Sequence, residues 1–349
     1  MNRNTDDRQM VYLGALACHV PDHREDVSAL CDENPGWNAE TIVRKTGIRR
    51  RALARPEETA ADLGYFAAER LFASGAIERP AIDGLIFNSH SPDYWMPATA
   101  CLLQHRLGLP TTCAALDLAL GCSGFTYSLW LAKSLVESGA RRNVLVISAE
   151  TFSRFCDRSD LSTVTLFGDG AGAALVTREP SGALARIGGT VLGTDGAGAE
   201  HLIVKGGAAR SATQAGGEGE SSRPRVWMNG PEVFSFTIAT VRNCLQELVA
   251  REEIRWDEVR HFLLHQASGF MLDKLRTQLG LTEQQCPIDM EDVGNTANAS
   301  LPILIDRLRR RGRFRSGDHM VLAGFGVGLS WAMTHLEWLE NGESVPERE

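Results

Sequence analysis

Two stretches of this chain carry the same order of elements about 175 residues apart, and that duplication restricts the fold more than any single motif does. In the first, an apolar run at 84–89 is followed by a helix opened by Gly121-Cys122. A strand-like run at 144–148 comes next, then Gly168-Asp169-Gly170-Ala171-Gly172 leading into an apolar segment. In the second, an apolar run ending at His265 precedes a helix opened by Gly294-Asn295. The run at 320–323 follows, then Gly324-Phe325-Gly326-Val327-Gly328 leading into the last apolar segment. Matched positions (Ile86 and Leu264, Cys122 and Asn295, Leu145 and Val321) lie 178, 173 and 176 residues apart. A single repeat of this length signals a duplicated domain, not a solenoid. We place the halves at residues 1–178 and 179–349, a size that suits two units. Packed about a pseudo-twofold axis, they would aim the helices headed by Cys122 and Asn295 at one place, with His265 entering beside them.

The stretch around Cys122 reads as strand, sharp turn and helix. The apolar run at 115–120 meets Gly121-Cys122-Ser123-Gly124, and Phe125, Leu129, Leu131, Leu135 and Val136 then mark one helix face up to Ser138-Gly139. This layout lifts a nucleophile to a sheet's rim. The helix's free N–H groups and positive dipole end would favour the thiolate. Taken singly, a free cysteine is more often a buried structural thiol. A histidine after an apolar strand is more often a satisfied structural group, and an Asn before a helix is more often a cap. Found together at matched places in a repeat, the three point to a site with a nucleophile, an imidazole and an amide donor.

Elsewhere the pattern predicts a first strand at 11–17 and helices at 24–43, 58–76, 98–105, 232–251 and 269–279. Residues 44–51 (RKTGIRRR) form a basic loop, either a solvated turn or a clamp for a phosphate-bearing substrate. The glycines at 168–172 run straight into a strand, whereas a dinucleotide-binding turn sits between strand and helix, so close backbone packing is their expected role. Residues 205–224, rich in Gly, Ser and Ala, read as a flexible flap.

A formal net charge of −8 argues against wholesale nucleic-acid binding. No run of 18 apolar residues offers a membrane span. Eight cysteines without a C-x-x-C pair, behind a polar N-terminus with no signal-peptide pattern, predict a cytoplasmic protein with reduced thiols and no zinc site.

Five segments in order, GCSGFTYSL (121–129), LFGDGAGAALV (166–176), LLHQAS (263–268), GNTANAS (294–300) and GFGVGLSW (324–331), resemble the motif set of the β-ketoacyl-acyl-carrier-protein synthase III group of the thiolase superfamily. The resemblance runs from about Val11 to the last strand. It implies an α/β protein with the five-layered αβαβα thiolase fold, built from two pseudo-symmetric halves and paired as a homodimer. Cys122 would take an acyl group from acyl-coenzyme A, and a malonyl thioester would then enter and lose carbon dioxide. His265 and Asn295 would donate to its thioester oxygen, and the carbanion would attack the acyl-enzyme to give a β-ketoacyl product in fatty-acid or specialised-metabolite biosynthesis. The backbone N–H groups of Cys122 and Val327 would form the oxyanion hole. Phe325 and Met96, the latter reaching into the partner copy, would bound the acyl pocket. Arg154, Lys45 and the nearby but off-register Trp37 would serve coenzyme A. Neither cofactor nor metal is implied.

An acyl carrier protein is a further implied partner. The basic residues that would dock it near Ser235 and Phe270 are absent, so the extender's handle is left open between carrier protein and coenzyme A. Within the same family, the rival reading is an acyltransferase passing its acyl group to a hydroxyl, amine or thiol. Asn295 argues against it, because a decarboxylating site has most use for that donor. A 3-hydroxy-3-methylglutaryl synthase-type aldol reaction lacks an evident glutamate base. A cysteine hydrolase gives the duplicated sheet and the Asn-headed helix no role, and an intact triad speaks against a silent partner subunit.

Overall fold

The computed structural model describes residues 10–212 and 224–340. Its first half runs β1 (Tyr12–His19), β2 (Arg24–Asp26), α1 (Val27–Glu33), α2 (Ala39–Thr46), β3 (Arg50–Ala52), α3 (Ala60–Ala73), β4 (Gly84–Asn88), α4 (Thr99–Arg106), β5 (Ala114–Leu118), α5 (Gly124–Glu137), β6 (Asn143–Glu150), α6 (Leu161–Val164) and β7 (Gly170–Thr177). The second runs β8 (Ala185–Thr194), β9 (Leu202–Val204), α7 (Ala209–Ala212), β10 (Val226–Met228), α8 (Gly230–Arg251), β11 (Val259–Leu264), α9 (Gly269–Leu279), α10 (Ser300–Arg310), β12 (His319–Gly326) and β13 (Ser330–Trp338).

Nine strands hydrogen-bond in the order β11-β12-β13-β8-β1-β7-β6-β4-β5. Read outward from the β1–β8 junction, the two sides repeat each other. β7 matches β13, β6 matches β12 and β4 matches β11, with the first step after each outer pair antiparallel and the outer pair itself parallel. Within the sheet, β1 and β8 pair at Tyr12 with Arg186 and at Leu13 with Ala185. α3 covers the outer face of β1, β6 and β7, and α8 covers β8, β12 and β13. α5 touches β4, β6 and β7 of its own half and β8, β12 and β13 of the other, while α10 touches β1, β7 and β11. The layers are thus helix, sheet, helix, sheet, helix, as the duplicated pattern and the family resemblance imply.

Burial on both faces explains the sequence of the inner strands. β4, β6 and β7 are apolar along nearly their whole length instead of alternating. The central layer forms because Phe125, Leu129, Ala132 and Val136 of α5 share one apolar cluster with Leu301, Leu304, Ile305 and Leu308 of α10. Small residues set how closely that layer approaches the sheet. A Cβ on Gly172 would lie 2.4 Å from Pro302 and one on Gly170 2.9 Å from Ile303, so the glycine run serves close packing, as its place in the sequence predicts.

Two expectations change, and one strand has no counterpart in the sequence reading. The helix read over 24–43 is broken into β2, α1 and α2, because Asn34-Pro35-Gly36 turns the chain, with Gly36 at φ 101°. α2 then restarts behind Asn38, whose side chain caps Thr41 N–H. The basic loop is split between interior and surface, with Arg44, Lys45 and Arg50 exposed. Arg51 is buried, pairs with Glu25 and donates to Phe167 O at 2.7 Å, while Arg49 pairs with Glu291 of the other half. β8 carries no strand signal in the sequence because Gly188 and Gly189 interrupt it; both are needed where Glu252 and His335 press against the strand. The flap read over 205–224 falls within the connection between the paired strands β9 and β10, and its residues 213–223 lie outside those described.

Candidate active site

Cys122 sits on the turn between β5 and α5, 7% exposed. The turn is held by close approaches that only glycine allows. A Cβ on Gly124 would lie 2.1 Å from Asn88 Nδ2, and one on Gly121 2.5 Å from Val327 Cγ1. Gly326, at φ 153°, brings the second glycine-rich turn so near that its own Cβ would fall 3.0 Å from Cys122 Sγ. The sulfur therefore faces the N–H groups of Val327 and of Cys122 itself. Both favour a thiolate, but burial dominates and pushes the thiol up to about 12. Burial thus opposes the pull of the helix N-terminus, and these donors act when negative charge develops.

His265 follows β11 and is fixed from two sides. Its N–H donates to Ala323 O at 2.8 Å, and Nδ1 lies 2.7 Å from Ser300 Oγ at the start of α10. Phe325 packs edge-on against the ring at 5.7 Å. Burial drives the imidazole down to about 3, so it is neutral at physiological pH. The Ser300 hydroxyl gives or takes a proton, which lets Nε2 act as acceptor in one tautomer and donor in the other.

Asn295 is not a cap of α10, which begins five residues later. It follows Gly294, held at φ 78°, and its backbone joins Leu166 O (2.8 Å) and Gly168 N (3.0 Å) of the first half. Its Oδ1 accepts from Ala297 N at 2.9 Å, and Nδ2 donates to Ala267 O at 3.2 Å. One Nδ2 proton is left over. Cys122, His265 and Asn295 all line one cavity of about 380 Å³ with Phe325 and Gly326, and the remaining walls carry no Asp, Glu, Lys or Arg. In such surroundings fixed dipoles keep most of their strength, which suits a transition state in which charge appears on a thioester oxygen.

The other predicted residues fall elsewhere. Val327 offers its N–H to the sulfur and lines a second, larger cavity instead of the one that holds Cys122. Met96 is 81% exposed on the loop after β4, beside the exposed Tyr94 and Trp95, and does not line its own chain's Cys122 cavity. Lys45 is exposed at the end of α2 and Trp37 half-buried in the turn before it; neither lines that cavity. Arg154 does not either. Its Nη2 donates to the carbonyls of Arg55, Pro56 and Glu58, which makes it a clamp on that loop at the edge of the second cavity.

Two contributors went unmarked in the sequence reading. Ser300 orients His265. Glu150, buried at the end of β6 and pushed up to about 8 by that burial, accepts from His90 N (2.9 Å), Ser91 Oγ (2.8 Å) and Asn298 Nδ2 (2.8 Å). Asn298 also donates to Asn88 O at 3.0 Å, so this cluster ties the Asn295 segment to the floor beneath Cys122. Asn298 and Ser300 lie inside the GNTANAS segment, the signal that could have flagged them.

Among the described residues, no group of His, Cys, Asp and Glu is arranged to hold a metal, and no helix is long and apolar enough to cross a membrane. A family model for 3-oxoacyl-[acyl-carrier-protein] synthase III matches residues 116–196, and one for its C-terminal region matches 249–338. Relatives named β-ketoacyl-[acyl-carrier-protein] synthase III include one from Caldanaerobacter subterraneus, 35% identical over 90% of this chain and 92% of its own length. Another, from a Sulfurovum species, is 36% identical over 95% and 96%. A crystal structure of a 3-oxoacyl-(acyl-carrier-protein) synthase III superimposes with a TM-score of 0.88 at 44% identity, covering 94% of this chain and all of that one. The priming β-ketosynthase of the R1128 polyketide pathway superimposes at 0.87 with 30% identity, over 98% and 100%.

Proposed function

Because this chain belongs to the 3-oxoacyl-[acyl-carrier-protein] synthase III family of acyltransferases, we propose that Cys122, His265 and Asn295 perform its decarboxylative Claisen condensation. Cys122 Sγ attacks the carbonyl of an acyl-coenzyme A, its proton passing to His265 Nε2 and on to the departing thiolate. The N–H groups of Cys122 and Val327 hold the oxyanion; one such donor is worth roughly 3–4 kcal/mol. A malonyl thioester then enters. Its bond to the carboxylate breaks, carbon dioxide leaves, and the electron pair moves to the thioester oxygen, where His265 Nε2–H and the spare Asn295 Nδ2–H receive it. The enolate carbon attacks the acyl group, a carbon–carbon bond forms, and the β-ketoacyl product departs as the Cys122 thiolate regains a proton. These steps use side chains, amides and two thioesters only.

The observation that carries this reading is the pairing of a neutral imidazole with an unassigned carboxamide proton in an uncharged cavity beside the thiol. Two donors facing the thioester oxygen suit an enolate born by decarboxylation, a step that needs no base to remove a proton. A mere acyl transfer to a hydroxyl or amine would leave Asn295 without a task. The relatives' names supply the carrier-bound extender, with malonyl-coenzyme A as the alternative handle. The bare Tyr94, Trp95 and Met96 supply a face for a second copy, whose Met96 would bound this chain's acyl pocket. We place the enzyme in the cytoplasm, in fatty-acid or specialised-metabolite biosynthesis. Intact mass spectrometry after mixing with acyl-coenzyme A tests the first step: one acyl adduct on Cys122, absent in Cys122→Ser, is expected. An adduct that persists in the serine variant would remove Cys122 from the role.

A further inference from the structure

Arg49 and Arg50, at the head of β3, converge with Arg307, Arg310 and Arg311, at the end of α10, on a cavity of about 540 Å³ that shares no residue with the Cys122 cavity. Every residue lining it is charged, the five arginines facing three acids of the segment 289–292. Those acids are already engaged. Asp289 pairs with Arg307 at 3.1 Å and Arg311 at 2.6 Å, Asp292 with Arg307 at 2.8 Å, and Glu291 with Arg49 at 3.0 Å. Among the described residues, the Arg50 side chain has neither hydrogen bond nor ion pair, and Arg310 commits only its Nε, to Asp306 of its own helix. Arg24 of β2 brings a further positive charge near enough to feel Arg50 and Arg307. Guanidinium groups crowded in this way repel one another, and their planar forks match pairs of phosphate oxygens.

We propose that this cavity is a second, non-catalytic site that binds a small molecule carrying two or more linked phosphates, and that its occupancy slows condensation. More than one phosphate is required because the spare donors come from both halves, Arg50 from the first and Arg310 from the second. The effect on rate follows from which wall carries which charge. The acids sit together on the segment that leads into the catalytic groups: Glu291 O accepts from Arg49 N (2.8 Å) and Arg50 N (3.0 Å), Val293 O accepts from Ala52 N (3.1 Å), and Gly294-Asn295 follow. Asp289 N–H donates to Gln266 Oε1 at 2.8 Å, and Gln266 is the chain neighbour of His265. A polyanion draws the arginines inward and repels this acidic wall, against the contacts that fix Asn295 and His265. The rate effect rests on the condensation proposed above; the binding does not.

Calorimetric titration of the full-length enzyme with sodium tripolyphosphate, at an ionic strength of about 0.15 M, should give one site with a Kd of about 100 μM or tighter. Arg50→Ala, which breaks no contact of the fold, and Arg310→Gln should each raise that Kd about tenfold or more. Arg315→Ala removes an exposed charge outside the cavity and should leave it within about twofold, which separates a site from general attraction to basic surface. A parallel titration with ATP distinguishes the sources: affinity about tenfold tighter identifies a nucleotide as occupant, equal affinity a free oligophosphate. Saturating tripolyphosphate should lower the kcat of condensation about threefold or more with KM for the malonyl thioester unchanged, and Arg50→Ala should lose the effect at the same concentration. No binding, or an equal loss of affinity in Arg315→Ala, overturns the site. A rise in KM alone places the anion at the substrate's entrance and overturns it too, and binding with kcat unchanged overturns the effect on rate. If the enzyme condenses nothing even without the anion, the condensation reading falls while the titration still decides the site.

Discussion

Replacing Asn295 with alanine separates the two half-reactions, because its carboxamide faces two ways. Inward, Oδ1 accepts from Ala297 N and one Nδ2 proton goes to Ala267 O. Outward, the second Nδ2 proton meets the cavity shared with Cys122 and His265. Asn295→Ala orphans a buried N–H and a carbonyl, at a cost to stability of about 1–3 kcal/mol, which a folded domain tolerates. It also removes one of two donors to the enolate oxygen, a loss of about 3–4 kcal/mol in the transition state, or roughly a hundredfold to a thousandfold in the condensation rate. The oxyanion hole for acylation consists of other groups, so loading of Cys122 should stay within about threefold of the parent enzyme, a difference of under 1 kcal/mol. The assay follows both steps in one sample: acyl adduct by intact mass, β-ketoacyl product by chromatography after malonyl thioester is added. Condensation within tenfold of the parent would refute the assigned role. So would an equal fall in both steps, since that would make Asn295 a general prop for the site.

Ser300→Ala should slow condensation by roughly tenfold to a hundredfold by freeing His265 Nδ1, with Ser300→Thr restoring most of the rate; a silent alanine variant would show that Phe325 and the backbone suffice. Alkylation of Cys122 by iodoacetamide, followed on its own peptide because Cys101 is also exposed, should rise about tenfold per pH unit through pH 9 without a plateau. The sign follows from a thiol near 12, whose thiolate fraction keeps growing over that range; a plateau near pH 7 would mean a preformed thiolate. Glu252 is held down to about 2, chiefly by its hydrogen bond with His335. A carboxyl depressed in the folded state stabilises above its ordinary value of 4.5 and loses that stabilisation as pH falls toward 2. Glu252→Gln should therefore lower the Tm by a few degrees at pH 7, with the gap narrowing below pH 4.5; a gap that widens in acid would reverse the assignment.

The duplicated order of strands and helices was legible because inner strands buried on both faces show as continuous apolar runs, and because the turns bearing Cys122 and Asn295 fall at matched offsets. α9 was read with its observed ends, Gly269–Leu279, since Ser268 caps it and Gly280 ends it. The region before α2 misled because Val27, Leu30 and Ile42 keep a helical spacing across a turn that Pro35 and Gly36 enforce. Arg51 looked like one of a run of surface charges, and nothing local announces that Glu25 and Phe167 O wait for it in the interior. The pull of the helix N-terminus on Cys122 was legible, whereas the burial that outweighs it depends on Gly326 and Val327 folding over the thiol from some 200 residues away. Ser300 acts on His265 from 35 residues away and Glu150 through Asn298 of the other half, and no periodicity encodes those contacts.

The account stands most directly on the fate of the carboxylate carbon. Enzyme loaded with an acyl group on Cys122 is mixed with malonyl thioester labelled at its free carboxylate, and released gas and organic product are counted together. Condensation predicts one labelled carbon dioxide for each acyl group discharged, and a product two carbons longer than the acyl chain. Discharge of the acyl group without labelled gas, to water or to a hydroxyl or amine acceptor, would contradict it.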